Sequence, residues 1–228
     1  MSTVPANDRV SPEEAATVAE LYALLSSCFQ TPDEEFVEAA DSGQLHEQLA
    51  ERTEVLGYAP ERPPTGGFDG VGDLHESYLR SFEGFEGAYA PPAESAYERW
   101  WDDRERGLLA GPAAADMRRR FEAVGADTPD RYPVDHVALL LEYASLVLEA
   151  EEVDEYVAFH REHFDWIDAF RERVEETCEA EFYLWAVGLL AETIERVEEV
   201  LLAEAELPDG ETTDPAGGAT GTDDRTEK

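Results

Sequence analysis

Residues 133–148 read PVDHVALLLEYASLVL, and this stretch decides the fold class. After Pro133, apolar side chains recur at steps of three and four residues, at Val137, Leu140, Leu141, Ala144, Val147 and Leu148. This spacing places them on one face and predicts an amphipathic α-helix that begins at Pro133. Asp135 falls in the predicted first turn, where a carboxylate interacts favourably with the helix dipole.

Helical patterns continue on both sides of this stretch. Ser11-Pro12-Glu13-Glu14 combines a capping hydroxyl, a proline at the first helical position and a glutamate at the third, so a helix is expected to follow. Thr31-Pro32-Asp33-Glu34 repeats this start signal. Further helices are predicted over residues 72–83, 95–107, 113–124, 152–163, 164–177 and 180–205. No strand of alternating pattern is found.

The predicted fold class is therefore all-α, with one compact multi-helix domain over residues 11–206 and no sheet. Residues 1–10 are predicted to form a flexible N-terminus. After residue 206 the composition changes to Pro, Gly, Asp, Glu and Thr with almost no apolar side chain. Such a segment cannot bury enough surface to order itself, so residues 207–228 are predicted to form a disordered acidic tail.

The chain carries a large excess of negative charge. It has 54 acidic and 17 basic residues, a formal net charge of -37, and all but one of the basic residues are arginines. Such a chain repels itself at low salt, whereas at about 1 M salt the screening length falls to roughly 3 Å. The composition resembles that of proteins from extreme halophiles. The alternative is an acidic adaptor surface for a basic partner protein or a nucleic-acid mimic. Binding to nucleic acid itself is disfavoured because there is no basic stripe.

The sequence indicates neither export nor membrane insertion. Residues 1–10 contain one arginine and no apolar run, which is unlike a secretory signal, and no stretch approaches 18 uninterrupted apolar residues. Cys28 and Cys178 lie far apart within helical patterns, so we expect buried, reduced thiols. We therefore expect a cytoplasmic protein.

Sequence signatures of catalysis are missing. There is no phosphate-binding loop, nucleophile elbow, dinucleotide fingerprint or zinc-type cysteine pair, so we expect no cofactor, no metal and no enzymatic activity. His160 and His163 are three residues apart, and a helical metal-binding protein or enzyme that uses this pair is an alternative. Asp135 and His136 are adjacent, so they do not face each other on a helix. Together they offer an anionic acceptor beside a switchable donor, which suits holding a polar or cationic segment better than proton transfer.

The start of the central helix resembles a known motif. Pro133-Val134-Asp135-His136, with Leu140, Glu142 and Tyr143 after it, resembles the Pro-x-Asp-His signature of the TorD/DmsD/NarJ family, the dedicated chaperones of molybdenum-containing oxidoreductases. Tyr132 is a departure, because many members carry an acidic residue before the proline.

Three further stretches resemble the same family in order and spacing. The segment at residues 21–25 resembles its first-helix segment. Residues 78–84 and 91–97 resemble its central segment, with Ser95 in the place of the family's serine. A late segment with a histidine and a tryptophan before a Phe-Tyr pair is matched by Phe159, His163, Trp166, Phe170, Phe182 and Tyr183. The resemblance covers about residues 12 to 203.

The resemblance implies a compact helical fold without a catalytic role. Family members bind the twin-arginine signal peptide or the immature catalytic subunit of a molybdopterin oxidoreductase, of the DMSO, TMAO or nitrate reductase type. They hold this client in the cytoplasm until the cofactor is inserted. The client of this chain stays open, and so does its oligomeric state, either a monomer or a domain-swapped homodimer with residues 125–132 as a possible hinge.

A receptor for two arginines beside an apolar stretch needs carboxylates next to an apolar groove, because a guanidinium pairs with a carboxylate through forked hydrogen bonds. Our hypothesis places aromatic side chains along this groove, with Asp135 and His136 at its polar end. The expected peptide-binding residues are Tyr22, Ser95, Tyr97, Trp100, Trp101, Pro133, Asp135 and His136. For each aromatic residue, the alternative is plain core packing.

Overall fold

The structure, a computed structural model, describes residues 11–66, 69–84, 87–97 and 111–202. Within these ranges the helices are α1 (Pro12–Cys28), α2 (Glu34–Ser42), α3 (Gln44–Thr53), α4 (Val71–Phe82), α5 (Pro112–Val124), α6 (Val137–Glu149), α7 (Val153–His163), α8 (Ile167–Thr177) and α9 (Glu181–Val197). A π-helical turn extends α9 to Leu202, and a short 3-10 turn covers Glu94–Ala96. The described residues contain no β-strand, only an isolated bridge between Ala93 and His136. The all-α prediction is confirmed.

Helix α6 lies at the centre of the molecule. Its side chains are buried on nearly every side, as expected for a helix that other helices surround. Its most extensive partner is α1, and the two approach closely enough for the Ser145 hydroxyl to donate to the carbonyl of Ala19 at 2.9 Å. The stretch quoted first therefore supplies the core around which the other helices pack.

The sequence predicted the same start signal for two helices, and the structure shows the predicted cap at only one of them. At α1 the capping box is present, because the Ser11 hydroxyl accepts from the Glu14 N–H and the Glu14 carboxylate accepts from the Ser11 N–H. At α2 the cap is Asp33, whose carboxylate accepts from the Phe36 N–H at 2.8 Å, so Thr31 and Pro32 precede the helix. Thr31 instead donates its N–H to the hydroxyl of Tyr132.

The sequence placed two other helix starts wrongly. The central helix begins at Val137, not at Pro133. The helix expected from Ser95 does not start there, because the 3-10 turn ends and Tyr97 is extended. The rest of that predicted helix lies outside the described residues, as do the predicted flexible N-terminus (1–10) and the predicted tail (207–228).

Both cysteines are buried free thiols, as the sequence predicted. Burial raises the pKa of Cys28 to about 12, which keeps this thiol protonated and unreactive near neutral pH. In the described part of the chain, no helix combines the length and the apolar character needed to cross a bilayer.

Candidate functional site

The turn before α6 determines where Asp135 and His136 lie. The His136 N–H donates to the carbonyl of Pro133 at 3.0 Å, which closes a tight turn ahead of the helix. His136 is the N-cap of α6, and its Nδ1 accepts from the N–H of Ala138 at 3.2 Å. The motif therefore forms the entry to the central helix, and Asp135 precedes the cap.

Asp135 holds a second segment of the chain against this turn. Its carboxylate accepts from the N–H of Ser95 at 2.8 Å, and its carbonyl accepts from the N–H of Glu94 at 3.1 Å. The carbonyl of Pro92 in turn accepts from the N–H of Val137 at 2.8 Å. Residues 92–97, called the docked segment below, thus bond to the start of α6 along their backbone. Two motifs about 40 positions apart in the sequence meet here.

The imidazole of His136 is enclosed by aromatic side chains. The ring of Tyr132 stacks on it with centroids 4.5 Å apart, and the hydroxyl of Tyr78 is 3.4 Å from Nε2. Because Nδ1 accepts from a backbone N–H, the neutral ring carries its proton on Nε2, toward Tyr78. Burial, with a smaller contribution from Arg131, lowers the pKa of His136 to about 3. His136 is therefore neutral near pH 7 and does not act as the switchable donor that we expected.

The structure does not place Asp135 and His136 at the end of an open groove. Their relative exposures are 0% and 2%, so both side chains are interior. Oδ1 of Asp135 is buried and has no hydrogen-bond partner among the described residues, and Oδ2 accepts from the N–H of Ser95. We expected both side chains to be accessible to a peptide, and this is wrong for this conformation. If the two residues contribute to peptide binding, they do so as buried residues that hold the surrounding structure in place.

The other predicted residues lie in different parts of the chain. Ser95 and Tyr97 belong to the docked segment, and the Tyr97 hydroxyl donates to the carbonyl of Pro91 at 3.0 Å. Pro133 is partly exposed at the turn. Tyr22 lies elsewhere in the core. Trp100 and Trp101 fall outside the described residues.

Tyr22 packs as a core residue. It is fully buried, and its hydroxyl lies 2.7 Å from that of Tyr156. We predict that Tyr22→Phe lowers the free energy of unfolding by about 1 kcal/mol, because a buried hydrogen bond is lost. Peptide affinity should stay unchanged. Urea unfolding at constant KCl and a peptide titration check the two statements, and a clear loss of affinity with intact folding would return Tyr22 to the binding surface.

The two histidines considered as metal ligands have separate surroundings. His160 lies 3.3 Å from the hydroxyl of Tyr156, and burial lowers its pKa to about 4. His163 belongs to the one group with metal-ligand geometry among the described residues, together with Asp116 and Glu162. The guanidinium of Arg120 already contacts both of these carboxylates. Among the described residues, His160 does not belong to this group.

Two concavities lie among the described residues, away from the docked segment. One, of about 710 Å³, lies between α2 and the start of α4, and its lining includes Val37 and the acidic residues Glu34, Glu38, Asp41 and Asp69. The other, of about 580 Å³, lies where α4 meets the link between α8 and α9. Of the predicted peptide-binding residues that the structure describes, none lines either concavity.

Four residues of the site were not among the predicted peptide-binding residues. Tyr132 and Tyr78 cover His136, and Glu94 and His163 contact each other beside Ser95. Tyr132 and Glu94 are direct neighbours of predicted residues in the sequence, so their position was the available signal. Tyr78 and His163 come from distant helices, and each lies in a stretch that resembles the family, although the sequence did not indicate that they meet here.

Comparison with known proteins gives one family. The sequence profile described as "Nitrate reductase delta subunit" matches residues 38–179, a range that contains the whole docked segment and the turn before α6. No curated protein sequence matches the chain. Among solved structures, a protein designated a redox enzyme maturation protein from Archaeoglobus fulgidus is similar, with 20% identity and a TM-score of 0.49 over 79% of this chain and 93% of that chain.

Proposed function

This chain belongs to the nitrate reductase delta subunit family, which includes the NarJ- and TorD-type chaperones, and we propose that it binds the precursor of a molybdopterin oxidoreductase catalytic subunit. The contact is with the twin-arginine leader of that precursor, with its immature body, or with both. The chain holds its client in a salty cytoplasm until the cofactor is inserted, and it acts by binding rather than by catalysis.

One observation carries the proposal beyond the family match. The central segment and the Pro-x-Asp-His turn are about 40 positions apart, yet Asp135 bonds directly to Ser95. Irregular segments that a rigid helical scaffold holds in place are common carriers of binding function. The docked segment has this character, because its backbone bonds to the start of the most buried helix.

The chemistry of the proposed client fits a strongly acidic receptor in high salt. Long-range attraction between the net charge of -37 and a cationic leader is screened at about 1 M salt. Forked hydrogen bonds between guanidinium and carboxylate act at contact and persist there. The apolar stretch of the leader adds burial, at about 25 cal/mol per Å², which we expect to be the larger contribution to affinity.

A peptide titration tests this function. The probe is a synthetic leader with two consecutive arginines before an apolar stretch, and the matched control has both arginines replaced by lysine. We expect micromolar binding and about a ten-fold weaker affinity for the lysine peptide, because an ammonium cannot form the fork.

Salt separates this function from the acidic adaptor. We expect the affinity to change by no more than about three-fold between 1 and 3 M KCl, because contact pairs and apolar burial depend little on screening. A complex that dissociates as the KCl concentration rises from 1 to 3 M would instead favour recognition of a basic partner through overall charge. Equal affinity for the arginine and lysine peptides would remove the twin-arginine leader from the proposal.

A further inference from the structure

The imidazole of His163 lies between two carboxylates in the interior. Its Nδ1 is 2.7 Å from a carboxylate oxygen of Glu94, and its Nε2 is 3.0 Å from one of Asp116. The side chains of His163 and Glu94 are fully buried, and that of Asp116 is largely buried. Asp116 also pairs with Arg120 on the same helix. A chain of ionisable groups therefore runs from the docked segment, through the end of α7, to α5.

Glu94 brings this chain to the site. It directly precedes Ser95, and its own N–H donates to the carbonyl of Asp135. Two neighbouring residues of the docked segment are thus held by two different helices. The start of α6 holds the segment through Asp135, and the end of α7 holds it through His163.

Stabilisation of the fold does not by itself explain why these polar side chains are buried together. Desolvation of a buried ionic pair commonly offsets its mutual attraction, and apolar residues of similar volume often stabilise a core as well or better. A buried polar contact does restrict the chain to one geometry. The residues around Glu94 form only a three-residue 3-10 turn between extended residues, so contacts with other parts of the chain, through both backbone and side chains, have to define their conformation.

We propose that Glu94 and His163 are positioning residues for client binding, which fix the docked segment from the α7 side as Asp135 fixes it from the α6 side. The inference rests on the function proposed above. It gives His163 a role different from that of a metal ligand. Neither side chain contacts the client in this scheme, because both are sealed in the interior.

The test compares two histidines of the same helix. His163→Gln removes a buried imidazole that contacts the docked segment, and His160→Gln removes one that contacts Tyr156 instead. In His163→Gln we expect amide hydrogen exchange of residues 93–97 to accelerate about ten-fold and the affinity for the twin-arginine peptide to fall about ten-fold. In His160→Gln both quantities should match those of the unmodified protein.

Two further variants show whether a loss of peptide affinity arises from the Glu94–His163 contact or from general unfolding. Glu94→Gln keeps the size of the side chain, and it should weaken peptide binding in the same way because it leaves His163 facing an amide. Combining Glu94→Gln with His163→Gln lets two neutral amides pair, so the double variant should bind more tightly than either single variant.

Several outcomes would overturn the inference. Unchanged peptide affinity in His163→Gln, with faster exchange in residues 93–97, would make the contact purely structural. Equal losses in the His160 and His163 variants would indicate general destabilisation. No binding by the unmodified protein would instead overturn the proposed function, and the inference would fall with it.

Discussion

Asp135→Ala is expected to lower the free energy of unfolding by roughly 2 to 4 kcal/mol and to weaken client binding at least about ten-fold. The variant removes the buried acceptor of the Ser95 N–H and so releases the docked segment from the start of α6. Urea unfolding at constant KCl measures the first effect, and titration with the twin-arginine peptide measures the second.

Asp135→Asn separates positioning from direct contact. The asparagine oxygen can still accept from the Ser95 N–H, and the variant removes the buried carboxyl group, whose second oxygen has no hydrogen-bond partner among the described residues. If Asp135 acts by positioning, the asparagine variant should keep its stability and bind the peptide within about three-fold of the unmodified protein. If the carboxylate itself receives an arginine, the asparagine and alanine variants should lose affinity alike.

Acid is expected to destabilise the protein strongly through His136. Burial lowers the pKa of His136 in the folded protein to about 3, against an ordinary value of 6.5. Protonation therefore favours the unfolded chain. The contribution of the neutral ring to stability is complete above pH 6.5 and is lost as the pH falls from 6.5 toward 3, at about 1.4 kcal/mol for each pH unit.

His136→Asn isolates this contribution from that of the carboxylates and of His160. Asparagine is a good N-cap and does not titrate, so α6 keeps its cap at every pH. Between pH 6.5 and pH 5 the unmodified protein should lose about 2 kcal/mol more unfolding free energy than the variant, as measured by urea unfolding at each pH. Parallel losses in the two proteins would show that His136 is not held neutral by burial.

Local signals in the sequence predicted the helices well. The capping box at Ser11 involves residues within one turn of each other, so the pattern and the observed hydrogen bonds coincide. The stretch after Pro133 likewise forms the predicted helix, but its side chains are buried on nearly every side and not only on the one apolar face that the spacing indicated. Helix starts were less reliable where distant contacts decide them. Tyr97 is extended rather than helical, in a segment that Asp135 holds from 40 positions away.

The sequence alone could not show that the predicted site is interior. Asp135 and His136 are polar and lie near a helix start, which is usually an exposed place. Their burial comes from Tyr132, Tyr78 and the docked segment, whose contacts depend on how α4, the start of α6 and the link between α1 and α2 come together. The motif match therefore identified the right neighbourhood, whereas the way in which the two residues act required the fold.

The central claim is that this chain holds the precursor of a molybdopterin oxidoreductase. Its most direct test is affinity isolation of the full chain from its native cell, at native salt, with the bound protein identified by mass spectrometry. We predict an oxidoreductase catalytic subunit that retains its leader and lacks its cofactor, recovered with the unmodified chain and with Asp135→Asn but not with Asp135→Ala. Recovery of a different class of protein, or of the same subunit in equal amount with Asp135→Ala, would contradict the account.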